Sequence, residues 1–204
     1  MKAGDEKVRL AVLLSGSGRT LENFLARIAT GALSARVVAV VSSRAGVRGV
    51  EIAASAGLPV AVFPRKDYAT IADHTTAINA WLAARRPELI ALAGYLCYYV
   101  PPPDFAGPVV NIHPALLPKY GGKGFYGDRV HAAVLAAGEP ESGCTVHHVD
   151  DQYDHGQIIA QQRVPVLPGD DVHALADRVF AAECELYPRV LQELADALRR
   201  RDGR

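Results

Sequence analysis

The chain has 204 residues, 50% of them hydrophobic and 22% charged, which is the composition of one compact domain with a buried core and excludes a disordered or coiled-coil chain. Lys plus Arg and Asp plus Glu both number 22, so no net field draws in a nucleic acid, and the longest apolar stretch, twelve residues over 89–100, is well short of the ~20 that cross a bilayer. Cys97, Cys144 and Cys184 lie far apart with no Cys-x-x-Cys pair, and the polar start over 1–9 leads into no signal-peptide core; a cytoplasmic protein without structural disulfides, membrane association or nucleic-acid partner is expected.

The apolar run over 9–14 stops at Ser15-Gly-Ser-Gly-Arg-Thr20 and reads as a buried strand entering a Gly-rich turn, with a helix over 21–30 behind it. A second strand over 36–43, a short helix over 47–56 closed by Gly57, and a third strand over 59–63 follow. The segment 68–85, with Ile71, Ile78, Trp81 and Leu82, suits an amphipathic helix ending before Pro87, and 89–93 is a fourth buried strand. Near-continuous apolar strands alternating with helices imply a parallel sheet covered on both faces, hence a doubly wound α/β architecture. After Pro101-Pro-Pro103 come a strand over 109–113, a Gly-rich loop over 121–127 and a helix over 129–137. Two longer, partly antiparallel strands are expected over 143–149 and 158–167, then a helix over 172–199 with a solvated basic tail over 199–204. No repeat or linker divides the chain. The expected organisation is a single domain, 1–204, with a phosphate-binding half near 8–100 and a second half near 108–200.

Three features bear chemistry. At the Ser15–Thr20 turn, free amides and the following helix N-terminus form a cradle for phosphate. Leu21 stands where a dinucleotide fingerprint has its third glycine, and no Gly-Lys-Ser/Thr follows, so the alternative, a tight strand-to-helix turn, stays open. Asn111-Ile-His-Pro114 ends an apolar strand; residues two apart share a face, which places an amide donor beside an imidazole that titrates near neutral pH, unless both are polar core residues. The run His147-His-Val-Asp-Asp-Gln-Tyr-Asp-His-Gly156 suggests a metal, but His147 and His148 fall on opposite strand faces and no Cys or second helical His completes a ligand set, so no metal is expected. A loop carboxylate such as Asp154 near His113 would instead favour the imidazolium and raise its pKa.

Taken in order, Leu14-Ser-Gly-Ser-Gly18, Leu92-Ala-Gly-Tyr95, Asn111-Ile-His-Pro-Ala-Leu-Leu-Pro118, Gly143-Cys-Thr-Val-His147, Tyr153-Asp154 with Gly156, Val164-Pro165 and Glu183 upstream of Tyr187-Pro188 resemble the phosphoribosylglycinamide formyltransferase family of folate-dependent enzymes. The resemblance spans most of the chain and implies a Rossmann-like formyltransferase fold. It implies formyl transfer from the cosubstrate 10-formyltetrahydrofolate to the amine of 5-phosphoribosylglycinamide in de novo purine biosynthesis, with small-molecule partners, no metal and either a monomer or a homodimer. It further implies that Asn111 and His113 stabilise a tetrahedral intermediate, with Asp154 keeping His113 charged. Gly18, Arg19 and Thr20 would hold the substrate phosphate, and Glu183 would orient the amine. Leu96, Cys97, Tyr98, Tyr99 and Asn111 would line the folate site.

The chain departs from that family at three places. Leu96-Cys-Tyr-Tyr99 replaces a common Met-Arg-Ile-Leu, removing an Arg side chain from the folate pocket. The loop from Lys119 to Gly127 is longer than usual and lacks a nearby His, although His131 opens the next helix. Asp154-His-Gly156 replaces Asp-Gly-Gly, and His155 would be strained if that position needs a positive φ. Rival functions are a 10-formyltetrahydrofolate hydrolase using the same Asn, His and Asp, an N-formyltransferase acting on an amino-sugar nucleotide, and a non-catalytic binding module.

Overall fold

The computed structural model describes residues 7–201 and 203; the expectations for positions 1–6, 202 and 204 lie outside the described residues. In chain order the elements are β1 (Val8–Leu14), α1 (Arg19–Ala29), β2 (Ala35–Ser42), α2 (Arg48–Ser55), β3 (Val60–Val62), α3 (Ile71–Ala83), β4 (Leu89–Leu92), β5 (Val109–His113), α4 (Asp128–Ala136), β6 (Glu141–His148), β7 (Ile158–Pro165) and α5 (Val172–Arg201). The strands form one seven-stranded sheet in the order β3-β2-β1-β4-β5-β6-β7. β1 pairs in parallel with β2 and β4, and β2 with β3, whereas β5–β6 and β6–β7 are antiparallel. This is the mostly parallel sheet with an antiparallel C-terminal portion that the strand patterns predict.

Residues up to Val109 together with those from Leu191 onward make one compact unit, and Val110–Val190 make another. In the first unit, Leu10, Leu13 and Leu14 of β1 are fully buried, as are Leu21 and Phe24 of α1, Leu33, and Leu89 of β4. Each such side chain contributes roughly 1.5–3 kcal/mol by leaving water. Gly18 ends the turn after β1 with φ 72°, and a Cβ there would lie 2.5 Å from the Cα of Gly49. Gly49 in turn donates its N–H to the Gly16 carbonyl at 3.1 Å, so two backbones touch where any side chain would part them. The left-handed residue lets α1 begin at Arg19, two residues earlier than the apolar pattern predicts.

The expected helix over 68–85 is shorter at its start, because residues Arg65–Asp67 form a 3₁₀ turn and Thr70 caps α3. Thr70 Oγ1 accepts from Asp73 N–H while the Asp73 carboxylate accepts from Thr70 N–H, a reciprocal pair that fixes the first turn.

In the second unit Cys144 and Val146 of β6 are fully buried, and Tyr187 of α5 donates its hydroxyl to the Val110 carbonyl at 3.1 Å. β7 is the edge strand; its exposed face carries Arg163, paired with Glu141, and it ends on Pro165, features that discourage further strand pairing. α5 runs through Pro188 to Arg201, two residues beyond its predicted end.

Candidate active site

Antiparallel register brings the catalytic candidates together. Asn111 on β5 stands opposite His147 on β6, and His113 stands opposite Thr145. The Thr145 hydroxyl donates to the Ala115 carbonyl at 2.6 Å and accepts from Leu117 N–H at 3.1 Å and from the Gln161 amide at 2.9 Å. It thereby holds the segment immediately after His113 against the sheet.

Asp154, in the loop between β6 and β7, has φ 55°, a left-handed conformation that Asp tolerates better than most residues. Its Oδ1 accepts from Asn111 Nδ2 at 3.3 Å and lies 3.6 Å from His147 Nε2. Its Oδ2 accepts from Gly122 N–H at 2.9 Å and lies 3.4 Å from His113 Nδ1. One carboxylate thus bridges Asn111 and His113. The strain expected at His155 is absent: the positive φ falls at Asp154, while His155 is exposed and its Nδ1 reaches Asp150 at 3.2 Å.

His147 is a member of the site that the sequence reading did not assign. Its Nδ1–H donates to the His148 carbonyl at 2.8 Å, which leaves Nε2 as the acceptor for Asn111 Nδ2–H at 3.1 Å. Both amide hydrogens of Asn111 are therefore engaged, one by His147 and one by Asp154. The signal in the sequence is the alternation of β6, which turns His147 inward, but only the pairing register reveals what it meets.

His113 is 4% exposed and donates Nε2–H to the Tyr120 carbonyl at 2.7 Å. Burial lowers its pKa and outweighs the opposing pull of Asp154 and of the Tyr120 carbonyl, with His147 adding to the lowering. This corrects the expectation that Asp154 raises the pKa overall: the carboxylate acts in the expected direction, but desolvation of the imidazolium is larger. Burial pushes Asp154 up, but contacts with His147, His113 and the Gly122 amide outweigh it and keep this carboxyl below its usual range. His131, near the start of α4, is also buried; its Nδ1 has no hydrogen-bond partner among the described residues, and burial lowers its pKa.

An imidazole with a lower pKa folded than unfolded binds fewer protons in the native state, so acid favours unfolding. His113, His131 and His148 share this direction. Stability is expected to be full above about pH 6.5 and to fall as pH drops through the folded values, with a lower urea midpoint near pH 5 than near pH 7.5. Equal midpoints in the two buffers would contradict the lowered pKa of these partly or fully desolvated rings.

The other predicted positions separate into two groups. Gly18, Arg19 and Thr20 lie in the first unit at the start of α1, where the turn amides are presented. Leu96 N–H donates to Ser15 Oγ at 2.8 Å, and Ser15 Oγ lies 2.6 Å from Ser43 Oγ. Leu96 and Cys97 line a cavity of about 630 Å³ together with Ser43, Arg44, Arg65 and Lys66. Tyr99 does not line a pocket with its side chain: it is 2% exposed, and its hydroxyl donates to Asn79 Oδ1 at 2.8 Å. That is a core role for the ring, which leaves the backbone of Tyr99 as the part able to meet a ligand. Tyr98 is half-buried. Glu183, on α5 in the second unit, sits close enough to Cys144 to support burial in pushing that thiol up to about 12.

A mostly parallel sheet carrying an amide and an imidazole on β5, with a loop carboxylate set between them, is an arrangement suited to chemistry at a carbonyl carbon. The formyl transferase family model matches residues 8–191, and the chain belongs to that family. It is 42% identical over 197 residues to the trifunctional purine biosynthetic protein adenosine-3 of Drosophila pseudoobscura pseudoobscura, covering 95% of this chain but only 14% of that protein. It is 36% identical over 186 residues to a phosphoribosylglycinamide formyltransferase of Haemophilus influenzae, covering 90% of this chain and 85% of that one. Among solved structures it is similar to glycinamide ribonucleotide transformylase 1 from Geobacillus kaustophilus, with a TM-score of 0.85, 40% identity, and coverage of 93% and 99% of the two chains. Among the described residues, no helix is long and apolar enough to cross a membrane.

Proposed function

We propose that the chain transfers the formyl group of 10-formyltetrahydrofolate to the amine of 5-phosphoribosylglycinamide. The observation that carries this reading is the single Asp154 carboxylate set 3.3 Å from Asn111 Nδ2 and 3.4 Å from His113 Nδ1. Similarity to proteins named for this activity supports the choice of acceptor.

Attack of the amine on the formyl carbon makes a tetrahedral oxyanion. Asn111 meets it by exchanging its longer hydrogen bond, the one to Asp154, for one to the oxyanion, while the shorter bond to His147 keeps the amide in plane. His113 begins neutral with its proton on Nε2, so Nδ1 is the nitrogen open to a proton. It takes the amine's proton there, directly or through water, forms an ion pair with Asp154, and returns the proton to the departing folate nitrogen. Proton and electron count balance, and the ring ends as it began.

In this reading the turn amides of Gly18, Arg19 and Thr20 hold the substrate phosphate, and Glu183 orients the amine. The backbone of Leu96, Cys97, Tyr98 and Tyr99, with Asn111, contacts the folate. Arg44, Arg65 and Lys66, which outnumber Asp67 in the lining beside Leu96 and Cys97, suit a ligand whose tail carries carboxylates.

The test is an absorbance assay of folate deformylation, with and without phosphoribosylglycinamide, measuring formylated ribonucleotide and free formate. Turnover that needs the ribonucleotide and yields its formyl derivative supports the transferase; formate released equally without it supports the hydrolase. Asp154→Asn is expected to depress kcat by about 100-fold or more. It should also move the acid limb of the pH profile to lower pH, because the Asp154 charge raises the His113 pKa. An unmoved limb would remove Asp154 from the proton path.

A further inference from the structure

The loop after His113 contains a second non-glycine residue in the left-handed region, Tyr120, with φ 57°. That conformation costs an ordinary side chain about 1–2 kcal/mol, so something must hold it. Its carbonyl accepts His113 Nε2–H at 2.7 Å, and its hydroxyl donates to Glu139 Oε1 at 2.9 Å. The same Glu139 oxygen accepts from Lys119 Nζ at 2.8 Å, and the Tyr120 ring packs edge-on against Phe125 at 6.2 Å.

Glu139 is itself well fixed. α4 ends at Ala136 with Ala137 as its cap, Gly138 follows with φ 64°, Gly138 N–H donates to the Leu135 carbonyl at 3.0 Å, and Glu139 N–H donates to the Val134 carbonyl at 3.3 Å. This paired closure of a helix end sets the backbone of Glu139 relative to α4. Its carboxylate is kept ionised by hydrogen bonds from Lys119 and Tyr120, which outweigh the effect of burial.

We propose that Glu139 is a positioning residue for His113: by holding the Tyr120 hydroxyl it keeps Tyr120 left-handed, and the Tyr120 carbonyl then fixes the His113 proton on Nε2. Nδ1 is thereby left toward Asp154 as the nitrogen that exchanges protons during turnover. The proposal rests on the catalytic reading of His113. The tyrosine, not the lysine, carries the effect, since Lys119 is 67% exposed and its pairing with Glu139 is screened by solvent. His113 is also faced by Asp154 and His147, and its own charge bears on His131.

The experiment compares Glu139→Ala, Glu139→Gln, Tyr120→Phe, Lys119→Ala and the double variant Glu139→Ala/Tyr120→Phe. Steady-state kinetics are combined with nitrogen NMR of the imidazoles, assigned with His113→Ala. Glu139→Ala and Tyr120→Phe are each expected to lower kcat about tenfold with KM for the ribonucleotide within about twofold, the scale of a misplaced catalytic group. The double variant should be no worse than the poorer single one, because both break one chain of contacts. Glu139→Gln keeps an oxygen acceptor and should retain most of kcat, and Lys119→Ala should resemble the parent. In the spectra, Glu139→Ala should erode the preference of His113 for a proton on Nε2, and Glu139→Gln should not. A spectrum unchanged in Glu139→Ala overturns the positioning role whatever the activity. A changed spectrum with unchanged kcat overturns the use of His113 in turnover, and with it the claim that Glu139 serves the reaction. Multiplicative losses in the double variant would overturn the shared pathway.

Discussion

His113→Ala is expected to lower kcat by at least ~100-fold while leaving the KM for phosphoribosylglycinamide within about threefold of the parent value. In the proposed mechanism the variant loses the group that accepts the amine proton and returns it to the departing folate nitrogen. The ring touches the Tyr120 carbonyl and the Asp154 side, and the phosphate is assigned to the Gly18 turn, so ground-state binding should survive. The parent enzyme's kcat should fall toward low pH, as His113 becomes protonated before the amine arrives, and its burial places that limb below the ordinary histidine value. In the variant this limb should vanish. Full activity in the variant, or a KM that rises in step with the loss in kcat, would show that His113 binds substrate or packs the site without moving protons.

β1, β2 and β4 were legible because buried parallel strands read as near-continuous apolar runs; β1 and β4 are almost wholly buried, whereas the half-exposed edge strand β7 carries no such run. Helix starts were less legible. α1 begins early because Gly18 takes a left-handed turn, and α3 begins late because the Thr70–Asp73 cap overrides an apolar pattern that extends back to Tyr68. In the site, Asn111 and His113 followed from the two-residue period of a strand, and Asp154 from being a loop acid able to reach them. The engagement of His147 with Asn111 did not follow, because antiparallel register is a property of two strands and one sequence segment carries only its own alternation. The carbonyl of Tyr120 was equally hidden, since backbone groups carry no side-chain signature. The net direction of the His113 pKa needed the depth of burial, which pattern does not supply. The core role of the Tyr99 ring was hidden for a related reason: its hydroxyl finds Asn79, a partner 20 positions away in the sequence.

Gly156→Ala is expected to destabilise the fold by about 3 kcal/mol or more, on the order of the larger single-residue effects, and to lower Tm by roughly 6–12 °C at this chain length. Gly156 is buried where the loop after Asp154 returns to β7, and a Cβ on it would stand 1.8 Å from the His148 carbonyl oxygen and 2.7 Å from the carbonyl carbon. No rotamer relieves a clash made by Cβ itself, so backbone must move. The group it strikes is not idle: the His148 carbonyl accepts His147 Nδ1–H, the bond that leaves His147 Nε2 to receive Asn111. The His148 N–H is also bonded to the Gln157 carbonyl at 2.9 Å, closing the loop on the same residue. Displacing this carbonyl should therefore loosen Asn111 as well as the loop that aims Asp154. kcat in the surviving folded protein should fall by about tenfold or more, the scale of a misplaced catalytic group. Thermal melts and steady-state kinetics on the same preparation check both parts. A variant that melts with the parent would mean that the loop between β6 and β7 yields easily, and that the bond fixing His147 is not what orients Asn111.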